Sequence, residues 1–149
     1  MEIANNLADE SITNNHGGPF GAVIIKNGEI VGSGNNQVLL NNDPTAHAEI
    51  VAIRNACQNL NTFDLKDCEL YTSCYPCPMC LSAIIWANIK TVYYGNTKED
   101  ADKIGFRDKI IYNYLNDNDN SLLNLIPMDR EITIKTFEKY YNKKDKTIY

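Results

Sequence analysis

The chain has 149 residues, 44% of them hydrophobic, and a net charge of -5. That length suits one domain with a real core, while the acidic balance counts against nucleic acid as a partner, which needs a basic footprint. No apolar run reaches the length of a membrane span, Glu2, Asp9 and Glu10 do not suit a secretory leader, and the five cysteines are expected as reduced cytoplasmic thiols used for metal binding or packing.

Ile3, Leu7, Ala8 and Ile12 recur at helical spacing and predict an amphipathic helix over Met1 to Thr13. It ends in Asn14-Asn15-His16-Gly17-Gly18-Pro19, a breaker cluster that leaves His16 in a solvated turn. Gly21 to Lys26 is a β-rich run, Asn27-Gly28 suits a type I′ hairpin, and Glu29 to Ser33 returns as the partner strand. Thr45 to Leu60 predicts a helix capped by Asp43 or Thr45, with Ile50, Ile53, Cys57 and Leu60 as its apolar stripe. Cys68 to Ser73 alternates like a strand and places Leu70 on a buried face. The chain turns at Pro76, then repeats Leu81, Ile84, Ile85 and Ile89 at helical spacing, and Thr91 to Tyr94 is a further short strand. Asp100 to Tyr114 is mixed, with Gly105 inside it, and Asn116 to Asn120 reads as a surface loop. Ile126 to Ile134 is a strand candidate, and Thr136 to Lys144 predicts a last helix. Its excess of lysines over Glu138 and Asp145 reads as a solvated face. Strands alternating with helices predict an α/β sandwich around one sheet.

The chemistry concentrates in Tyr71 to Trp86, where Cys77 and Cys80 stand three residues apart just past the turn. On a helix that spacing brings two thiols to one face, where they can hold a soft or borderline metal. A third ligand is needed, and His47 is the sensible upstream supplier. Three protein ligands on zinc leave the fourth position to water, the arrangement of a catalytic site, and lower that water's pKa to about 7. Both ligand sets fall at predicted helix starts, whose partial positive charge favours thiolate. Glu49, two residues beyond His47, is placed to carry the water's proton to a leaving group. His47-Ala48-Glu49 with Pro76-Cys77-Pro78-Met79-Cys80 matches the signature of zinc deaminases. Two rival readings stand beside it. Cys74, Cys77 and Cys80 form a Cys-x-x-Cys-x-x-Cys run of the iron–sulfur kind, without the fourth cysteine. Cys74 could also close a purely structural zinc site, in a scaffold with no activity, but that leaves Glu49 unexplained.

Over nearly its whole length the chain resembles the cytidine/deoxycytidylate deaminase superfamily, and within it bacterial guanine deaminases and related nucleoside deaminases. The resemblance lies in Gly17 to Val23, Asn42 to Glu49, Tyr71 to Cys74, Pro76 to Leu81, Ala83-Ile84 with Trp86-Ala87, and Gly105-Phe106 followed by Asp108 and Ile111-Tyr112. It implies a three-layer α/β/α sandwich with a five-stranded mixed sheet, one zinc per subunit, and a homodimer. It also implies a single deaminase domain over residues 1–149, whose segment 135–149 closes over an active site, the partner's where the segments exchange, and ends in the pocket residue Tyr149.

The resemblance assigns zinc to His47, Cys77 and Cys80 and proton transfer to Glu49. It gives Asp108 a contact with the substrate amino group or leaving ammonia, and Asn36 a hydrogen bond to the purine edge. Phe20, Ala48, Trp86 and Phe106 fall at substrate-pocket positions. Plainer alternatives exist: Asn36 as a strand end, Asp108 as a helix cap, Trp86 as core packing, Tyr149 as a frayed terminus. The implied reaction is guanine to xanthine plus ammonia. Tyr75 stands where guanine deaminases commonly carry glutamate, which bears on the substrate more than on deamination. Deamination of the tRNA wobble adenosine, of cytosine or cytidine, or of guanosine are the alternatives; the first shares the Asp43 to Glu49 stretch but needs a surface for RNA phosphates.

Overall fold

Asn27 and Gly28 both take positive φ, 52° and 84°, as the hairpin turn requires. A computed structural model describes residues 1–117 and 122–148 of the chain. The turn joins β1 (Gly21–Lys26) to β2 (Glu29–Asn35), and β3 (Glu69–Cys74) pairs antiparallel with the other edge of β1. After β3 the chain crosses over through a helix and returns as β4 (Thr91–Asn96), parallel to β3. The order is β2-β1-β3-β4, a mixed sheet.

The helices are α1 (Glu2–Thr13), α2 (Val38–Asn41), α3 (Ala48–Leu60), α4 (Pro78–Trp86), α5 (Lys98–Lys103), α6 (Asp108–Asp117) and α7 (Arg130–Tyr141). Gly21 on β1 abuts α1 at Ala4, Leu7 and Ala8. Gly32 and Gly34, on the opposite face, abut α3 at Ala48, Val51, Ala52 and Ala56. Successive strand residues face opposite ways, so the sheet lies between the two helices in three layers. Between sheet and α3, Ile24, Leu70 and Leu65 are almost fully buried. Each such side chain contributes about 1.5–3 kcal/mol relative to exposure.

The apolar stripe expected on α3 is displaced. Ile50, Ile53, Cys57 and Leu60 are only half-buried, and the buried face is Ala48, Glu49, Ala52 and Ala56. Glycines on β2 bring the helix backbone so close that only small side chains fit beneath it. A Cβ on Gly32 would lie 2.7 Å from the Ala56 backbone nitrogen and would also strike the Ala52 carbonyl. Gly32→Ala is therefore expected to cost about 1–3 kcal/mol, read as a lower thermal midpoint.

Helix α3 also begins three residues later than predicted. Asp43 caps a local turn, accepting from the Thr45 amide at 2.8 Å, and His47 takes the N-cap position instead. The sheet has four strands among the described residues, not five. Ile126 to Ile134, the remaining strand candidate, is irregular before Arg130 and helical from there. Ile132-Thr133-Ile134 is β-branched, but Arg130, Glu131, Lys135, Glu138 and Lys139 around it favour a helix. The expected Asn116 to Asn120 loop begins inside α6, and its residues 118–120 lie outside the described residues.

The chain divides into two units, Met1–Ile111 and Tyr112–Tyr149. The first holds the sheet with α1 to α5 and the start of α6; the second holds the rest of α6 and α7. No helix among the described residues is long and apolar enough to cross a membrane.

Candidate active site

Two helix starts converge in the first unit. His47 is the N-cap residue of α3 and Cys77 that of α4, both with extended backbone and neither with a side-chain cap. Pro78 follows at the first helical position of α4, where its missing N–H costs nothing. Cys80, three residues on, faces the same way as Cys77. The Cys77 and Cys80 sulfurs lie 3.5 and 3.6 Å from His47 Nδ1, and the three donor atoms are all within 4.8 Å of one another.

This donor set fits zinc. Bonds of about 2.3 Å to sulfur and about 2.0–2.1 Å to nitrogen, at a tetrahedral angle, span an edge of about 3.6 Å. Both thiols are buried and the imidazole is half-buried. A hydrogen bond from Cys80, helped by His47 and opposed by burial, pulls the Cys77 thiol down to about 4, and the Cys80 thiol moves the other way. Cys74 is not one of the three grouped donors. It ends β3, its thiol donates to the Thr97 carbonyl at 3.5 Å, and burial pushes it up to about 11.

Glu49 lies in the first turn of α3 and is 6% exposed. Its Oε2 accepts from the Cys80 thiol at 3.4 Å and its Oε1 from the Thr72 hydroxyl at 3.2 Å. Burial raises its pKa from the ordinary carboxylate value, the direction that favours a carboxyl able to hold a proton. Thr72 went unnoticed in the sequence. The signal was available, since it stands two residues beyond buried Leu70 and so faces the same way.

Phe20, His47, Glu49, Cys74, Tyr75, Cys77, Phe106 and Asp108 surround a cavity of about 30 Å³, room for about one or two waters. Phe20 and Phe106 meet edge to face, centroids 4.8 Å apart. Phe106, 37% exposed, forms the outer wall. Tyr75 packs edge to face on Tyr94 at 5.0 Å, with Lys98 Nζ 4.3 Å from its ring centroid. Asp108 opens α6, and desolvation raises its pKa.

Other sequence-predicted residues lie outside this wall. Asn36 is buried just past the end of β2, where its Oδ1 accepts from the Val38 amide and its own backbone amide donates to the Phe20 carbonyl. Ala48 is fully buried in the core, and Trp86, at the end of α4, is 65% exposed. Tyr149 lies outside the described residues. His16 is half-buried rather than solvated, its Nδ1 3.5 Å from Asn35 Nδ2.

A zinc-type donor triad beside a buried carboxylate, on an α/β/α frame, is the arrangement of the zinc deaminases. A model of the cytidine and deoxycytidylate deaminase zinc-binding region matches residues 1–96, and the chain belongs to that family. It is 54% identical over 112 residues to guanine deaminase of Bacillus subtilis, covering 75% of this chain and 72% of that one. The crystal structure of guanine deaminase from that organism superposes with a TM-score of 0.94 at 43% identity, covering 99% of this chain and 95% of that one. A structure of guanine deaminase from Nitrosomonas europaea gives a TM-score of 0.67 at 33% identity, covering 70% and 61%. A tRNA-specific adenosine deaminase of Buchnera aphidicola is 41% identical over 95 residues, 64% of this chain and 63% of its own length.

Proposed function

We propose that the protein hydrolyses guanine to xanthine and ammonia, with zinc held by His47, Cys77 and Cys80. The observation that carries this reading is the match to a guanine deaminase along 99% of the chain. The similarity to the tRNA-specific enzyme covers a smaller share, and a net charge of -5 ill suits an RNA partner.

When bound, zinc acidifies a water in its open position and so supplies the nucleophile at neutral pH. The chain's residues do the rest. Glu49 takes the water's proton on the carboxylate oxygen that faces Cys80. The oxygen adds to C2 of the ring, and Glu49 delivers protons so that the exocyclic nitrogen departs as ammonia while its carbon becomes a carbonyl. Burial of Glu49 makes both uptake and release feasible. Asp108, half-buried in the same wall, is placed to accept from the amino group as it leaves. Phe20 and Phe106 offer apolar faces to a planar base, and Phe106 must swing outward to admit one, since the cavity as it stands holds little more than a water. Asn36, whose backbone amide donates to the Phe20 carbonyl, offers its side-chain amide to the ring edge once the wall has opened.

The test is ammonia release from guanine, guanosine, adenine, cytosine, cytidine and a tRNA anticodon stem-loop. Guanine is the expected substrate. Turnover confined to the stem-loop, or to a base other than guanine, would overturn the assignment; in the second case Tyr75, which stands where guanine deaminases commonly carry glutamate, is the wall residue to exchange next.

A further inference from the structure

We propose that Thr72 is a positioning residue for Glu49, fixing which carboxylate oxygen faces the reacting water. The inference rests on the reading of Glu49 as the proton carrier. Thr72 lies on β3, which has β1 on one side and β4 on the other, so its backbone is tied at both edges, to Ala22 and to Tyr94. It is 1% exposed. A β-branched side chain on a strand has little rotational freedom, so its hydroxyl is a fixed donor.

The consequence follows from what Cys80 does when metal is held. In the structure the Glu49 carboxylate has two side-chain donors, Thr72 on Oε1 and the Cys80 thiol on Oε2. A cysteine that ligates zinc is a thiolate and has no proton to give. Thr72 is then the one remaining side-chain donor to the carboxylate among the described residues. Beside the backbone amide of Glu49 itself, which also donates to the carboxylate, the Thr72 hydroxyl on Oε1 is the bond that orients it. Oε1 is occupied, and Oε2, the oxygen beside the cysteines, is released for the water. Without the hydroxyl, the same carboxylate can rotate and present either oxygen, or neither, in the productive direction.

The test compares Thr72→Val, which keeps the shape and β-branching but removes the donor, with Thr72→Ser, which keeps the donor. Both are made in the zinc-loaded enzyme and again in the Glu49→Gln background. Zinc content, thermal midpoint, kcat and KM are measured for each. Thr72→Val should retain zinc and fold with a thermal midpoint close to wild type. Its kcat should fall about ten- to a hundredfold, the loss expected for a hydrogen bond to a charged group, with KM nearly unchanged. Thr72→Ser should recover most of that kcat. Once Glu49 is Gln, Thr72→Val should have no further effect.

Wild-type kcat in Thr72→Val would overturn the proposal. So would an equal loss in Thr72→Ser, which would assign the effect to the methyl group, or a loss of the same size in the Glu49→Gln background. Zinc loss in Thr72→Val would overturn it as well, by showing that the hydroxyl assembles the site instead of orienting the acid. Failure of the underlying reading looks different: Glu49→Gln would be as active as wild type, whatever Thr72 does.

Discussion

Glu49→Gln should bind zinc as wild type does and lose roughly 10²–10⁴-fold in the rate of ammonia release, the usual worth of a proton-transfer group. The substitution preserves size and leaves an amide oxygen to accept from Thr72, so the packing of α3 against β2 is undisturbed. What disappears is a group that can take a proton and give it back. Metal analysis and steady-state turnover on the same preparation check the two halves of the expectation. Equal activity in the variant would remove Glu49 from the mechanism.

A large loss is also expected when the metal goes. Dialysis against a chelator, or Cys80→Ser, should reduce turnover by more than about 10²-fold, because loss of a ligand exceeds the 10–100-fold typical of losing an outer hydrogen-bond partner. The chelated protein should regain activity with added zinc and not with magnesium, since two thiolates and an imidazole suit a borderline metal and not a hard one. Cys74→Ser makes the control. Its thiol bonds to the Thr97 carbonyl and not to the triad, so zinc content should be unchanged. Full activity after exhaustive zinc removal would sink the assignment.

Local chemistry was the most legible part of the sequence. The Asn27-Gly28 hairpin, the strand before Pro76 and the helix after it were readable because each depends on a few adjacent residues. So was the His47, Cys77 and Cys80 grouping, because few other residues could complete a thiol pair. Packing distance was not readable. Hydrophobic periodicity singled out Ile50 and Ile53 on α3, yet the glycines of β2 draw the alanine face inward, and that choice depends on a strand paired nowhere near it in sequence. The start of α3 failed for a related reason. Asp43 and Thr45 satisfy one another in a turn, and the helix begins where His47 reaches Cys77. Ile126 to Ile134 misled because β-branching is a weak vote when charged helix formers flank it. Resemblance brought Phe20, Phe106 and Asp108 to the cavity wall, while Asn36, Ala48 and Trp86 stand away from its present lining.

The two uncapped helix starts have a consequence for the chain as a polymer. His47 and Cys77 are thirty positions apart, and a metal held by both would tie them much as a disulfide does, closing the loop that contains all of α3 and β3. In the chain-entropy picture a cross-link over that span restricts the unfolded ensemble by on the order of 3–4 kcal/mol. That is a sizeable share of the roughly 5–15 kcal/mol that keeps a domain folded. Loaded and stripped forms therefore differ in more than chemistry: the stripped chain has a larger unfolded ensemble to escape into, and two helices whose first turns have lost their anchor.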